Sequence, residues 1–298
     1  MPDPPAATDK RIHLKDGRSL GYAEHAVPAG TPVLVFPGMP GSRLLCLPAE
    51  PARALGARVL IIERPGFGLS DPLPGRTLLD WPDDVEGFAD ALGLDRFAVV
   101  GLSAGAPYAL ACAYKIPHRL TSTAIVSGLG PVDLPGAIEE MPRVRRAGAA
   151  IARRAPRLLG LVFWFVADPH RDLERFVRRM TSPASAPDRA VLARPGVREM
   201  MERSYLEATR AGVRGFAQEA ILLSNSWGFR PEEISAPVYL RHGLEDASVS
   251  LSAARYAARA LPNCQATFLP GEGHWLLLDR WGEILAALLA GQADAQSG

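Results

Sequence analysis

The pentapeptide Gly101-Leu102-Ser103-Ala104-Gly105 lies between the apolar run FAVV (97–100) and the helix-competent segment APYALACAYKI. G-x-S-x-G in that setting is the pattern of a sharp strand-to-helix turn that lifts a serine hydroxyl out of the carboxyl edge of a sheet, the two glycines removing side chains that would clash. A serine so placed suits attack on a carbonyl, with transfer of the acyl group to water. The hydroxyl is a weak nucleophile until an imidazole takes its proton, and that imidazole needs a carboxylate to fix its tautomer and stabilise its cation.

Of the six histidines, His13 and His25 precede the serine in a hairpin region and His118 ends the helix after it, while His170 lies in an arginine-rich stretch and His242 at a strand end before a glycine. His274 comes last, in LPGEGHWLLLD, on a glycine-rich loop that follows a strand, and is the candidate base. The candidate acids are Glu245 and Asp246, adjacent in YLRHGLEDASV, and Asp133 after the strand ending near Val126. Spacing does not separate the first two, and each of the three is also a residue type used to build turns and caps.

These groups need a scaffold that brings loops at strand carboxyl ends together. RIHLKDGRSLGYAEHA (11–26) places an Asp16-Gly17 turn between two half-polar runs, a hairpin signal. The runs VLVF (33–36), VLII (59–62) and FAVV (97–100), then 124–126, 238–240 and 266–269, are short and apolar and are separated by helix-length segments. They read as buried parallel strands with crossover helices, an α/β fold with a mostly parallel sheet. Between Pro131 and Ile234 the strands stop and Arg, Ala, Leu and Pro dominate, which reads as a helical insertion. Its arginines, Arg143, Arg145, Arg146, Arg153, Arg154 and Arg157, read as a solvated helix face. Phe163, Trp164, Phe165, Trp227 and Phe229 are placed either to line an apolar pocket or to pack the insertion onto the core.

With 298 residues, 48% of them hydrophobic, the chain supports one substantial core with an inserted subdomain. A formal charge of +1 offers no field to gather nucleic acid, so the expected partner is a small molecule. The longest apolar run, LLGLVFWFVA (158–167), is about half of the roughly 20 residues a membrane span needs. Three separated cysteines, Cys46, Cys112 and Cys264, give neither a disulfide framework nor a zinc cage, and the N-terminal residues lack the pattern of a secretory leader, so the expected location is the cytoplasm. No metal or organic cofactor is expected, and the oligomeric state is not legible.

Ser103, Asp246 and His274, with their surroundings, resemble the α/β-hydrolase family, in its branch of esterases, epoxide-hydrolase-like and proline-iminopeptidase-like proteins with an inserted helical lid. VLVFPGMPGSR resembles the family's H-G-x-P-G-S oxyanion loop, ERPGFGLSDP its D-R-P-G-x-G-x-S-D-P segment, and RHGLEDASV its H-G-x-x-D-x-x-V acid loop. The resemblance implies a tail at 1–10, a hydrolase core at 11–130 and 235–298, a lid at 131–234, and Asp246 as the acid. It further implies an oxyanion hole made from the backbone N–H groups of Met39 and Ala104. Two departures stand out: Pro37 takes the place of the usual histidine and has neither an imidazole nor an N–H to brace the loop, and Glu63 replaces the usual aspartate before Arg64. Serine rather than aspartate at the turn argues against epoxide-hydrolase and haloalkane-dehalogenase chemistry. The expected activity is hydrolysis of a carboxylic ester, or of a related thioester, lactone or amide, of a small to medium apolar substrate. A C–C bond hydrolase, a perhydrolase or haloperoxidase-like enzyme and a biosynthetic thioesterase use the same triad, and a non-catalytic binding protein is a further alternative.

Overall fold

The Asp16-Gly17 signal becomes a hairpin: Gly17 takes a left-handed φ of 88° between β1 (Lys10–His13) and β2 (Ser19–Ala26). In the computed structural model, which describes residues 9–131, 143–155, 162–163, 165, 167–182 and 184–296, this hairpin opens an eight-stranded sheet of order β1-β2-β4-β3-β5-β6-β7-β8. β1 and β2 pair antiparallel. From β4 (Ala57–Ile62) through β3 (Thr31–Phe36), β5 (Phe97–Leu102), β6 (Leu120–Val126), β7 (Val238–Gly243) and β8 (Cys264–Leu269), all neighbours run parallel.

The central strands carry β-branched and other apolar residues on both faces because both faces are covered. Leu34, Phe36, Leu60 and Val99 face one apolar cluster, and Val33, Val35, Ile61 and Val100 face another. The helices α2 (Trp81–Ala91) and α3 (Ala106–Lys115) close the first, while α1 (Ala49–Ala54) and the C-terminal helix close the second. β8 departs from the buried pattern, with exposed and half-buried positions along its length, because it is the sheet's last strand and has one neighbour only.

Between β6 and β7 the described residues form helices and no strand: α4 (Arg143–Arg154), α5 (Leu173–Thr181), α6 (Ala186–Leu192), α7 (Val197–Ala208) and α8 (Arg214–Leu223). α9 (Leu251–Ala260) follows β7, and α10 (Leu276–Gln296) follows β8. Phe176, Tyr205 and Phe216 from this segment share an apolar cluster with Phe67 of the loop after β4. Trp227 and Phe229 are buried in the sheet's core cluster, Phe229 stacking on Tyr114 at 5.2 Å, so these two pack rather than stand in open space. Phe163 lies edge-on to Phe216 and Phe165 is exposed, while Trp164 lies outside the described residues. Arg146, Arg153 and Arg154 are exposed, as a solvated face requires, and Arg157 falls outside the described residues. Among the described residues, no helix is long and apolar enough to cross a membrane.

Candidate active site

Ser103 follows the last residue of β5 and has φ of 53°, the left-handed region that costs a non-glycine residue about 1 to 2 kcal/mol. The cost is borne because the neighbours leave the chain no wider path. A Cβ on Gly101 would lie 2.4 Å from the Gly105 carbonyl oxygen, and one on Gly105 would lie 2.1 Å from the Phe36 carbonyl oxygen. The turn therefore touches backbone on both sides. Residues 103–105 form a single 3-10 turn and α3 begins at Ala106, with Pro107 in its first turn. The Ser103 carbonyl accepts from Leu129 N–H at 3.1 Å, which ties the turn to the loop after β6.

His274 lies between β8 and α10 with its side chain mostly buried, and its Nδ1 is 2.8 Å from Asp246 Oδ2. The Asp246 side chain is fully buried, and its other oxygen accepts from the N–H groups of Ser248 (2.7 Å) and Val249 (2.9 Å). Burial pushes this carboxyl up, yet the attraction of His274, its hydrogen bond and the Val249 N–H outweigh it and hold the group below the ordinary aspartate range. An ionised Asp246 fixes the donating tautomer at Nδ1 and leaves Nε2 as the acceptor. Glu245, which spacing alone did not separate from Asp246, is exposed, and Asp133 lies outside the described residues. The two loops are also joined through backbone, with Glu245 N–H donating to the Glu272 carbonyl at 3.0 Å.

The remaining histidines have other surroundings. His13 Nδ1 contacts Ser19 Oγ, His170 Nε2 contacts the Thr209 carbonyl, and His118 reaches Glu86 from an exposed position. His242 is buried behind Asp246 with Nε2 4.0 Å from Oδ2, and desolvation pulls its imidazole below the ordinary range despite that carboxylate.

The loop after β3 runs beside the serine. A Cβ on Gly38 would sit 3.4 Å from Ser103 Cβ and 3.9 Å from Oγ, so the Gly38–Met39 backbone borders the hydroxyl. Met39 N–H donates to no described residue. Ala104 N–H belongs to the first residues of the 3-10 turn, where donors have no partner within the helix. Both candidate oxyanion donors thus border the Ser103 turn.

Pro37 leaves this loop without an imidazole, and its carbonyls are held by Arg64. Its guanidinium donates to the Pro37 carbonyl at 2.5 Å and to the Gly38 carbonyl at 3.0 Å. Arg64 Nε also donates to Glu219 Oε1 of α8 at 2.9 Å, and Glu219 Oε2 accepts from Arg76 at 2.8 Å and from Tyr108 Oη at 2.9 Å. All of these side chains are buried. Desolvation would protonate Glu219, but the two arginines outweigh it and its carboxyl is lowered. Burial, followed by Glu219, raises the Tyr108 phenol and keeps it neutral. Glu63 braces the far end of the same loop, accepting from Arg43 N–H (3.1 Å), the Arg43 guanidinium (2.9 Å) and Leu69 N–H (2.7 Å). Sequence reasoning did not find Glu219. It is the one acidic residue in a mostly apolar helical run, RGFAQEAILL, and that is the one signal available.

A family model described as the alpha/beta hydrolase fold matches residues 31–280. The chain is 25% identical over 285 residues to a 2-hydroxy-6-oxononadienedioate/2-hydroxy-6-oxononatrienedioate hydrolase of Cupriavidus pinatubonensis, covering 91% of this chain and 90% of that protein. It is 28% identical over 228 residues to a pimeloyl-(acyl-carrier protein) methyl ester esterase of Aromatoleum aromaticum, covering 74% of this chain and 81% of the esterase. Among solved structures, a thermophilic esterase from Thermogutta terrifontis superposes with a TM-score of 0.68 at 23% identity, covering 94% of this chain and 98% of that one. The parallel sheet, the strained serine turn and the family match over most of the length lead to one conclusion: this chain belongs to the α/β-hydrolase fold family and is an enzyme of that superfamily.

Proposed function

We propose that the protein is a serine hydrolase that cleaves a carboxylic ester of a small to medium apolar substrate through an acyl-enzyme on Ser103. The observations that carry this reading are the Ser103 turn with the Gly38–Met39 backbone against it, and a buried His274–Asp246 pair on the loops that follow β7 and β8, strands parallel to β5 in the same sheet. In this mechanism His274 takes the Ser103 proton as the oxygen attacks the carbonyl, and Asp246 stabilises the imidazolium. Met39 and Ala104 N–H groups hold the tetrahedral oxyanion, the alcohol leaves with the proton from His274, and the same histidine activates water to release the acid. The helices between β6 and β7 act as a lid over this edge, and Phe163 and Phe216 contribute apolar surface there.

C–C bond hydrolysis by the same triad is the second reading, favoured by the similarity to a dienedioate hydrolase. Against it stands the state of the nearby cations: Arg64 and Arg76 are committed to Glu219, Tyr108 and loop carbonyls, which leaves neither guanidinium to receive a substrate carboxylate. A chain-length series of p-nitrophenyl esters, assayed beside a vinylogous 1,5-diketone acid of the kind cleaved by C–C hydrolases, separates the two. Ester turnover that Ser103→Ala abolishes supports the first reading. Faster cleavage of the diketone than of every ester supports the second.

A further inference from the structure

We propose that Arg64 is a positioning residue of the oxyanion hole, and that Glu219 in α8 holds it in place, so that the helical insertion and the hole are coupled through one buried ion pair. The inference rests on the serine-hydrolase reading above and concerns how its oxyanion donor is aimed. The Gly38–Met39 peptide is trans, the cis bond of this loop being Met39–Pro40. In a planar trans peptide the carbonyl and the N–H point in opposite directions. Arg64 holds the Gly38 carbonyl on its own side at 3.0 Å, which turns Met39 N–H to the other side, and Gly38 itself lies against Ser103. The second Arg64 bond, to the Pro37 carbonyl, fixes the preceding peptide as well, so the fork removes rotation about two consecutive links.

The charge on this fork also matters. A hydrogen bond from a cation to a peptide carbonyl polarises that peptide and strengthens its N–H as a donor. A buried ion pair of purely structural use would instead affect folding and leave the ratio of transition-state to ground-state binding unchanged.

The test uses the full-length protein with p-nitrophenyl butyrate as substrate and a butyl trifluoromethyl ketone as the tetrahedral analogue, in wild type, Arg64→Lys, Glu219→Gln and Ser103→Ala. Lysine keeps the charge but cannot serve both carbonyls in a fork. The expected result for Arg64→Lys is a KM within about 2-fold of wild type, with kcat and analogue affinity falling together by about 10- to 100-fold, less than or comparable to deleting a donor outright. Glu219→Gln is expected to show the same pattern with a smaller loss, and it decides the matter if Arg64→Lys does not fold. Folded variants whose kcat and analogue affinity stay within about 2-fold of wild type, or that lose only KM, overturn the proposal. Turnover that survives in Ser103→Ala, or an inert wild type, overturns instead the serine-hydrolase reading and the inference with it.

Discussion

Asp188, in α6 of the helical segment between β6 and β7, accepts a hydrogen bond at 2.9 Å from the backbone N–H of Trp275, the residue after His274. Its second oxygen accepts from Ser185 Oγ at 2.8 Å, and a Cβ on Gly273 would lie 2.4 Å from its carboxylate. The loop that carries the candidate base is therefore gripped on both sides of His274 by one buried side chain from the insertion. Asp188→Ala removes that grip and leaves the Trp275 N–H unsatisfied, at about 1–3 kcal/mol of stability. Displacement of the imidazole is expected to lower kcat by about 10- to 100-fold. Steady-state kinetics with a thermal melt checks this, and a folded variant with wild-type kcat would show that the loop holds His274 without help.

The contact between the serine turn and the loop after β3 gives a second expectation. Because a Cβ on Gly105 would overlap the Phe36 carbonyl oxygen and approach the Pro37 carbonyl to 2.9 Å, Gly105→Ala forces backbone apart where Ser103 and Gly38 meet. Gly148→Ala is the control, since a Cβ there meets none of the described residues within 4 Å. The first substitution is expected to abolish esterase activity and lower Tm, and the second to leave Tm unchanged or raised. Equal melting curves for the two would contradict the packing described above.

Acid sensitivity is expected to enter in two windows. His25, on β2, has a ring nitrogen buried without a partner among the described residues, and burial lowers its imidazole from 6.5 to about 4. Since its folded value is depressed, the unfolded chain binds the extra proton, and the stability it contributes is complete above pH 6.5 and is lost as pH falls toward 4. Glu219 acts lower: its stabilisation is present above its ordinary value of 4.5 and is lost as pH falls through its depressed folded value. Tm measured against pH for wild type and His25→Leu is expected to differ in slope only in the upper window. Parallel profiles from neutral pH down to about 4 would rule out His25 as the source.

What was legible in the sequence divides by range. Short apolar runs bounded by turn residues placed the strands, because burial on both faces is written in consecutive residues, and the glycines of GLSAG marked a turn that only they allow. Asp246 and Glu245 were inseparable by spacing, since the difference is which way each side chain points from the loop; one is buried against His274 and the other is exposed. Pro37 raised the question of what braces its loop, and the answer, Arg64 with Glu219, joins residues 155 apart in the chain. No local pattern records such a partner. Asp188, 87 residues from Trp275, escaped for the same reason; it also serves as the acid of a capping box at the start of its own helix.

The central claim is that Ser103 is the nucleophile, and peptide mapping by mass spectrometry after treatment with a fluorophosphonate tests it most directly. The account requires a single adduct on the peptide that carries Ser103, formed in the wild type, lost in Ser103→Ala and strongly slowed in His274→Ala. An adduct on another residue, labelling that persists in Ser103→Ala, or a wild type that remains unlabelled would contradict it.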